Sequence, residues 1–271
     1  MTPRRRFHRS LLRSLLGLSL STASLVAATP AGAQTPATAA PVPATLTVSA
    51  AASLTNVLKD LGARYEAAHP GVKLQYNFAA SGVLLQQISQ GAPVDLFISA
   101  DEETMARGIE QKLFDGASRR DIASNQVVLI VPAQGAVPLA GLNDLTGAAV
   151  KRIAIGKLAT VPVGRYTKQS LDAAKLWAPL EPKFVYADSV RQVLDYVARG
   201  EVEAGFVYST DAAVMADKVK VLQRVDGHAP VRYPAALVAE GRQKAAAGAF
   251  LAYLLTAPAQ DALGKAGFGR P

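Results

Sequence analysis

Cysteine is absent from all 271 residues. That excludes disulfides, thiolate metal sites and a lipid-anchored cysteine, so the fold must be held together by its core. Histidine is scarce as well, and beyond residue 33 only His69 and His228 occur. His69 precedes Pro70-Gly71 and His228 follows Gly227, so both read as surface residues in turns. No Gly-x-Ser-x-Gly elbow is present, which leaves a serine hydrolase with neither its nucleophile turn nor a well-placed base. An enzyme is therefore not expected. The longest apolar run, about residues 15–26, falls short of the ~20 residues that a membrane-spanning helix needs.

That apolar run has a different reading. Arg4, Arg5, Arg6, Arg9 and Arg13 precede it, and Ala31-Gly32-Ala33 follows with the small-x-small form of a signal-peptidase site. Residues 1–33 are thus expected to be a signal peptide, cleaved near Ala33. The arginines suit either a Sec or a twin-arginine route. The formal net charge is +8, and the five arginines and no acids of the leader leave about +3 on the mature chain. The remaining basic residues are scattered, which argues against a nucleic-acid partner. Residues 34–45 are rich in Pro, Ala and Thr and read as a disordered linker.

From Leu46 onward, strands and helices alternate, the pattern of an α/β protein with mostly parallel sheets. Strands are expected at 46–49, 73–78, 95–99, 126–131, 152–155, 183–186, 204–208 and 235–238. Leu54, Val57, Leu58, Leu61 and Tyr65 share one helical face, as do Val190, Val193, Leu194 and Val197, and both faces read as core. Two short helices near Phe250 and Ala259, split by Pro258, end the chain. No internal repeat is visible in the globular part. Its length suits one sheet or two lobes of ~100 residues each. The apolar stretches 124–131 and 231–238 are candidates for crossings between lobes. They divide the chain into 46–124 for one lobe, 125–231 for the other and 232–271 for a return to the first.

The candidate functional residues sit where strands open into helices. Ala50-Ala51-Ala52-Ser53 precedes an amphipathic helix, and free N–H groups at such an end, with the helix dipole and a hydroxyl beside them, offer a seat for an anion. Ser53 alone reads first as an ordinary helix cap. The arrangement recurs, however, at Ala79-Ala80-Ser81-Gly82, Val161-Pro162-Val163-Gly164, Asp188-Ser189-Val190-Arg191 and Tyr208-Ser209-Thr210-Asp211. Two of the five junctions belong to the expected first lobe and three to the second. Together they could surround one anion with neutral donors.

These blocks, with Gly91-Ala92-Pro93-Val94-Asp95-Leu96-Phe97-Ile98-Ser99-Ala100-Asp101 and Gly205-Phe206-Val207-Tyr208, resemble the periplasmic molybdate-binding proteins of ABC transporters, collinearly over essentially the whole mature chain. The resemblance implies a type II periplasmic binding protein: two α/β lobes of mixed sheet with flanking helices and a ligand cleft between them. It further implies a periplasmic monomer that closes on molybdate or tungstate and delivers it to a membrane permease. No cofactor is implied. Molybdenum would enter only as the oxyanion, without direct cation ligands. Ser53 and Ser81 would donate from the first lobe, and the backbone N–H groups of Val163 and Val190 and the Tyr208 hydroxyl from the second.

This chain departs from that family at several points. It has Val163 where family members commonly have Ala, Gly156-Lys157-Leu158 where Asp-Pro usually follows the glycine, and a single serine at Ala80-Ser81 where two are frequent. Lys157 is expected to be exposed, and Asp188 to cap its helix and face Arg191. Sulfate remains the alternative ligand, since an all-donor site suits any fully deprotonated tetrahedral dianion, whereas hydrogen phosphate also needs an acceptor. Ferric iron, which wants convergent tyrosines with an acid, is disfavoured because Tyr208 stands alone in its block.

Overall fold

The computed structural model describes residues 44–271 except Ala136. The expected signal peptide and nearly all of the expected linker lie outside the described residues.

The first strand, β1 (Ala44–Ala51), begins two residues inside the stretch read as linker, and pairs in parallel with β2 (Val72–Ala79) and β3 (Leu96–Ile98). β10 (Val231–Leu237) lies antiparallel between β3 and the edge strand β4 (Arg120–Asn125). This gives a five-stranded sheet of order β2-β1-β3-β10-β4. The second sheet, of order β7-β6-β8-β5-β9, repeats the plan. In it β6 (Ile153–Gly156), β7 (Phe184–Ala187) and β8 (Ala204–Tyr208) are parallel, and β5 (Val127–Pro132) runs antiparallel between β8 and the edge strand β9 (Val219–Arg224). In each sheet the reversed strand is the one that follows a crossing. The chain passes to the second sheet between β4 and β5, at Gln126, and returns between β9 and β10.

Asn125 and Val231 therefore belong to the first sheet, one residue away from the divisions expected at 124/125 and 231/232. Two edge strands were not expected at all. β4 reads Arg-Asp-Ile-Ala-Ser-Asn and β9 Val-Lys-Val-Leu-Gln-Arg, and only part of each is buried. Edge strands need little apolar sequence and use charge to discourage further pairing, which hides them from periodicity.

Helices cover the sheets. α1 (Thr55–Ala68) packs on β2 with Val57, Leu58, Leu61 and Tyr65 buried, as the apolar stripe requires. α2 (Ser81–Ser89) and α3 (Glu102–Glu110) also belong to the first lobe. α4 (Pro162–Ala173) is followed by the short α5 (Trp177–Leu180), then α6 (Val190–Ala198) and α7 (Ser209–Val214). All four belong to the second lobe, α6 burying Val190, Val193, Leu194 and Val197. α8 (Lys244–Leu254) and α9 (Ala257–Lys265) return to the first lobe against α1, β1, β4 and β10, and Pro258 sits in the first turn of α9, where a missing N–H costs nothing. Each fully buried Leu or Val on these faces contributes roughly 1.5–3 kcal/mol.

Candidate binding site

All five strand-to-helix junctions face the space between the two sheets. Ser53 lies in a short 3-10 turn (Ala52–Leu54) between β1 and α1. It does not cap α1: the cap position is Leu54, without a side-chain bond, and the Ser53 hydroxyl reaches instead to Tyr233 Oη at 2.9 Å. Ser81 is the first residue of α2, and its Oγ accepts the Ala100 N–H at 3.0 Å. In the second lobe Val163 follows Pro162 in the first turn of α4, and Val190 opens α6. Neither has a carbonyl four residues back within its helix, so both N–H groups are orphans of helix initiation. The tight β6-to-α4 turn requires Gly164, where a Cβ would overlap the Gly156 carbonyl. Tyr208 ends β8.

Ser53, Ser81, Val163, Val190 and Tyr208 are all buried, and they line one cavity together with Ala52, Ala80, Ala100 and Pro162. Its volume is about 10 Å³, far below the ~300 Å³ at which pockets for organic ligands typically begin. The occupant must be small. No charged side chain lines the cavity among the described residues. Three helices of nine, twelve and nine residues, α2, α4 and α6, begin at this cavity, so their positive dipole ends converge there. The Tyr208 hydroxyl is buried and has no hydrogen-bond partner. Burial raises its pKa well above the usual tyrosine value, so it stays protonated and able to donate.

The lobes are joined directly around this cavity. Arg165 of α4 reaches across to Asp101, which caps α3, with Nε 3.0 Å from Oδ2, and its Nη2 donates to Thr104 Oγ1 at 2.8 Å. Arg191 of α6 donates to Asn56 Oδ1 at 2.9 Å and to the Ser53 carbonyl at 3.3 Å, while its Nε bonds Asp211 Oδ1 within its own lobe at 2.5 Å. Both arginines are thus spent on protein groups at the rim. Sequence reading missed these clasps because their partners lie far apart in the chain.

The expectation for Asp188 is corrected. Ser189 caps α6 by accepting the Gln192 N–H, Gln192 in turn accepts the Asp188 N–H, and the Asp188 carboxylate pairs with Lys157. Arg191 is unavailable because Asp211 and the first lobe hold it. Lys157 is half-exposed, as expected, but paired rather than free. His69 is exposed and stacks on Tyr65, whereas His228 is half-buried beside Tyr166.

Residues 46–269 match the family described as bacterial extracellular solute-binding proteins. The molybdate-binding protein ModA of Escherichia coli (strain K12) is 36% identical over 229 residues, covering 82% of this chain and 88% of that protein. The chain belongs to this family. Among solved structures, the Azotobacter vinelandii periplasmic molybdate-binding protein matches with a TM-score of 0.72 at 24% identity, covering 83% of this chain and 99% of that one. The sulfate-binding protein SubI from Mycobacterium tuberculosis H37Rv gives the same TM-score at 19% identity, covering 83% and 86%. At those identities the two likenesses show the fold alone, which is that of a two-lobed type II periplasmic binding protein.

Proposed function

We propose that this chain captures molybdate, and tungstate with it, in the cavity between its lobes and delivers the anion to the membrane permease of an ABC transporter. Tyr208 carries the reading: a buried hydroxyl with no protein partner, beside a cavity lined by uncharged residues, is a donor held for a ligand. Ser53 and Ser81 supply further hydroxyls from the first lobe, and Val163 and Val190 supply backbone N–H groups from the second. A dianion held by neutral donors in a dry site needs no cationic side chain, because fixed dipoles replace its hydration shell.

The same donor set would suit sulfate, which is therefore the second reading. Size separates the two, sulfate being the smaller ion. On either reading residues 1–33 direct export and the mature monomer works in the periplasm, with its two lobes dividing within one residue of the 124/125 and 231/232 boundaries. A thermal-shift titration tests the assignment, since a ligand that binds only the native state must raise the melting temperature with concentration. Molybdate and tungstate are expected to do so at the lowest concentrations. A shift with sulfate and none with molybdate would replace the first reading by the second.

A further inference from the structure

We propose that Tyr233 and Asn125 are positioning residues that hold the Ser53 hydroxyl as a donor toward the cavity, so that the site rejects oxyanions that carry a proton. The proposal rests on the reading of the cavity as an oxyanion site.

The hydrogen bonds run in one direction. The Gln126 backbone N–H, which can only donate, lies 2.8 Å from one side-chain atom of Asn125, so that atom is the amide oxygen. The Ser209 hydroxyl donates to the same oxygen at 3.0 Å. The Asn125 Nδ2 therefore faces the other way, donating to Thr210 Oγ1 at 2.8 Å and to Tyr233 Oη at 3.1 Å. Tyr233 is completely buried. Its oxygen accepts from Asn125, and its own proton has one acceptor within reach, Ser53 Oγ at 2.9 Å. Leaving a buried hydroxyl proton unpaired is unfavourable, so Tyr233 donates and Ser53 accepts. The one proton of Ser53 is then left for the cavity.

Ser81 reaches the same state by a simpler device. The Ala100 backbone N–H donates to its Oγ, so its proton too is free for the cavity. In each serine a protein O–H or N–H takes up one lone pair of the oxygen and leaves its proton for the cavity, which biases both toward donating to the ligand. Hydrogen phosphate or hydrogen arsenate would bury an O–H in a site whose groups are turned mainly to donate, while a fully deprotonated tetrahedral dianion pairs with every donor.

The test compares the full mature chain with Tyr233→Phe, Ser53→Ala and the double variant, using calorimetry with molybdate and thermal shifts in tens of millimolar phosphate. Without the Tyr233 hydroxyl, Ser53 can rotate and accept. Tyr233→Phe is expected to weaken molybdate binding about fivefold and to narrow its preference over phosphate about tenfold, so that phosphate now shifts the melting temperature. In the Ser53→Ala background the same change is expected to have no further effect on molybdate. Asn125→Ala, at the half-buried crossing between the sheets, removes the donor to Tyr233 and is expected to narrow the preference in the same way should Tyr233→Phe fail to fold. An unchanged preference, or an equal loss with and without the Ser53 hydroxyl, overturns the proposal. Absence of binding of molybdate, tungstate and sulfate to the unmodified chain would instead overturn the oxyanion reading, and this proposal with it.

Discussion

The backbone N–H of Gly82 donates to the carbonyl oxygen of Thr160 at 2.9 Å, bonding the first turn of α2 in one lobe to the loop that enters α4 in the other. The approach depends on the missing side chain. A Cβ at Gly82 would stand 2.7 Å from Thr160 Cα and 2.8 Å from its carbonyl oxygen, closer than carbon atoms pack. Gly82 adjoins Ser81, so this contact joins the two lobes beside the cavity.

Gly82→Ala is expected to hold the lobes apart by overpacking that costs about 1–3 kcal/mol, which corresponds to an anion affinity about 5- to 150-fold weaker. Calorimetry reads the effect, and an unaltered affinity would show that closure does not need this contact.

Tyr208→Phe is expected to act with opposite signs on stability and binding. The lost hydroxyl had no partner in the protein, so the ligand-free protein should be equally or slightly more stable toward urea. Anion binding should weaken by ~1–3 kcal/mol, because a donor to a charged group is gone. Destabilisation of the ligand-free protein by more than ~1 kcal/mol would mean that the hydroxyl serves the fold.

Arg165→Met strands the Asp101 carboxylate, whose side chain is 5% exposed, without its cross-lobe partner. Breaking a buried pair from one side typically costs about 3–5 kcal/mol. Adding Asp101→Asn should recover much of that loss, because the stranded charge is removed while the amide oxygen can still accept the Thr104 N–H that caps α3. Additive losses in chemical denaturation would contradict the clasp.

These contacts mark where the sequence stopped being informative. The junctions were legible because a strand ending in small residues and opening a helix is local information: Ser53, Ser81, Val163, Val190 and Tyr208 each sit in such a block, and all five line one cavity. The buried faces of α1 and α6 were legible from helical period. The edge strands β4 and β9 were not, since exposure removes the apolar signal. Nor was the chain of bonds from Asn125 through Tyr233 to Ser53, whose members stand 108 and 180 residues apart. Asp188 was misplaced for a related reason: proximity in sequence suggested Arg191, but competition from Asp211 and the first lobe decided the pairing.

Asp211 gives the protein a pH signature. Burial pushes its carboxyl up to about 6 from an ordinary value near 4, with the Arg191 guanidinium pulling in the opposite direction. A raised folded-state pKa means that the native protein holds this proton more tightly than the unfolded chain. Its stabilising contribution is therefore full below about pH 4 and is lost as the pH rises through about 6. Relative to Asp211→Asn, the unmodified protein should lose on the order of 2–3 kcal/mol of stability between pH 4 and pH 7. A stability difference that stays constant across that range would contradict the assignment.

The oxyanion site is tested most simply by a calorimetric panel of molybdate, tungstate, sulfate and phosphate on the mature chain near neutral pH. Molybdate and tungstate are expected to bind tightly and stoichiometrically, sulfate more weakly, and phosphate not at all at comparable concentrations. Binding of phosphate as tight as that of molybdate, or no binding of any of the four, would contradict that assignment.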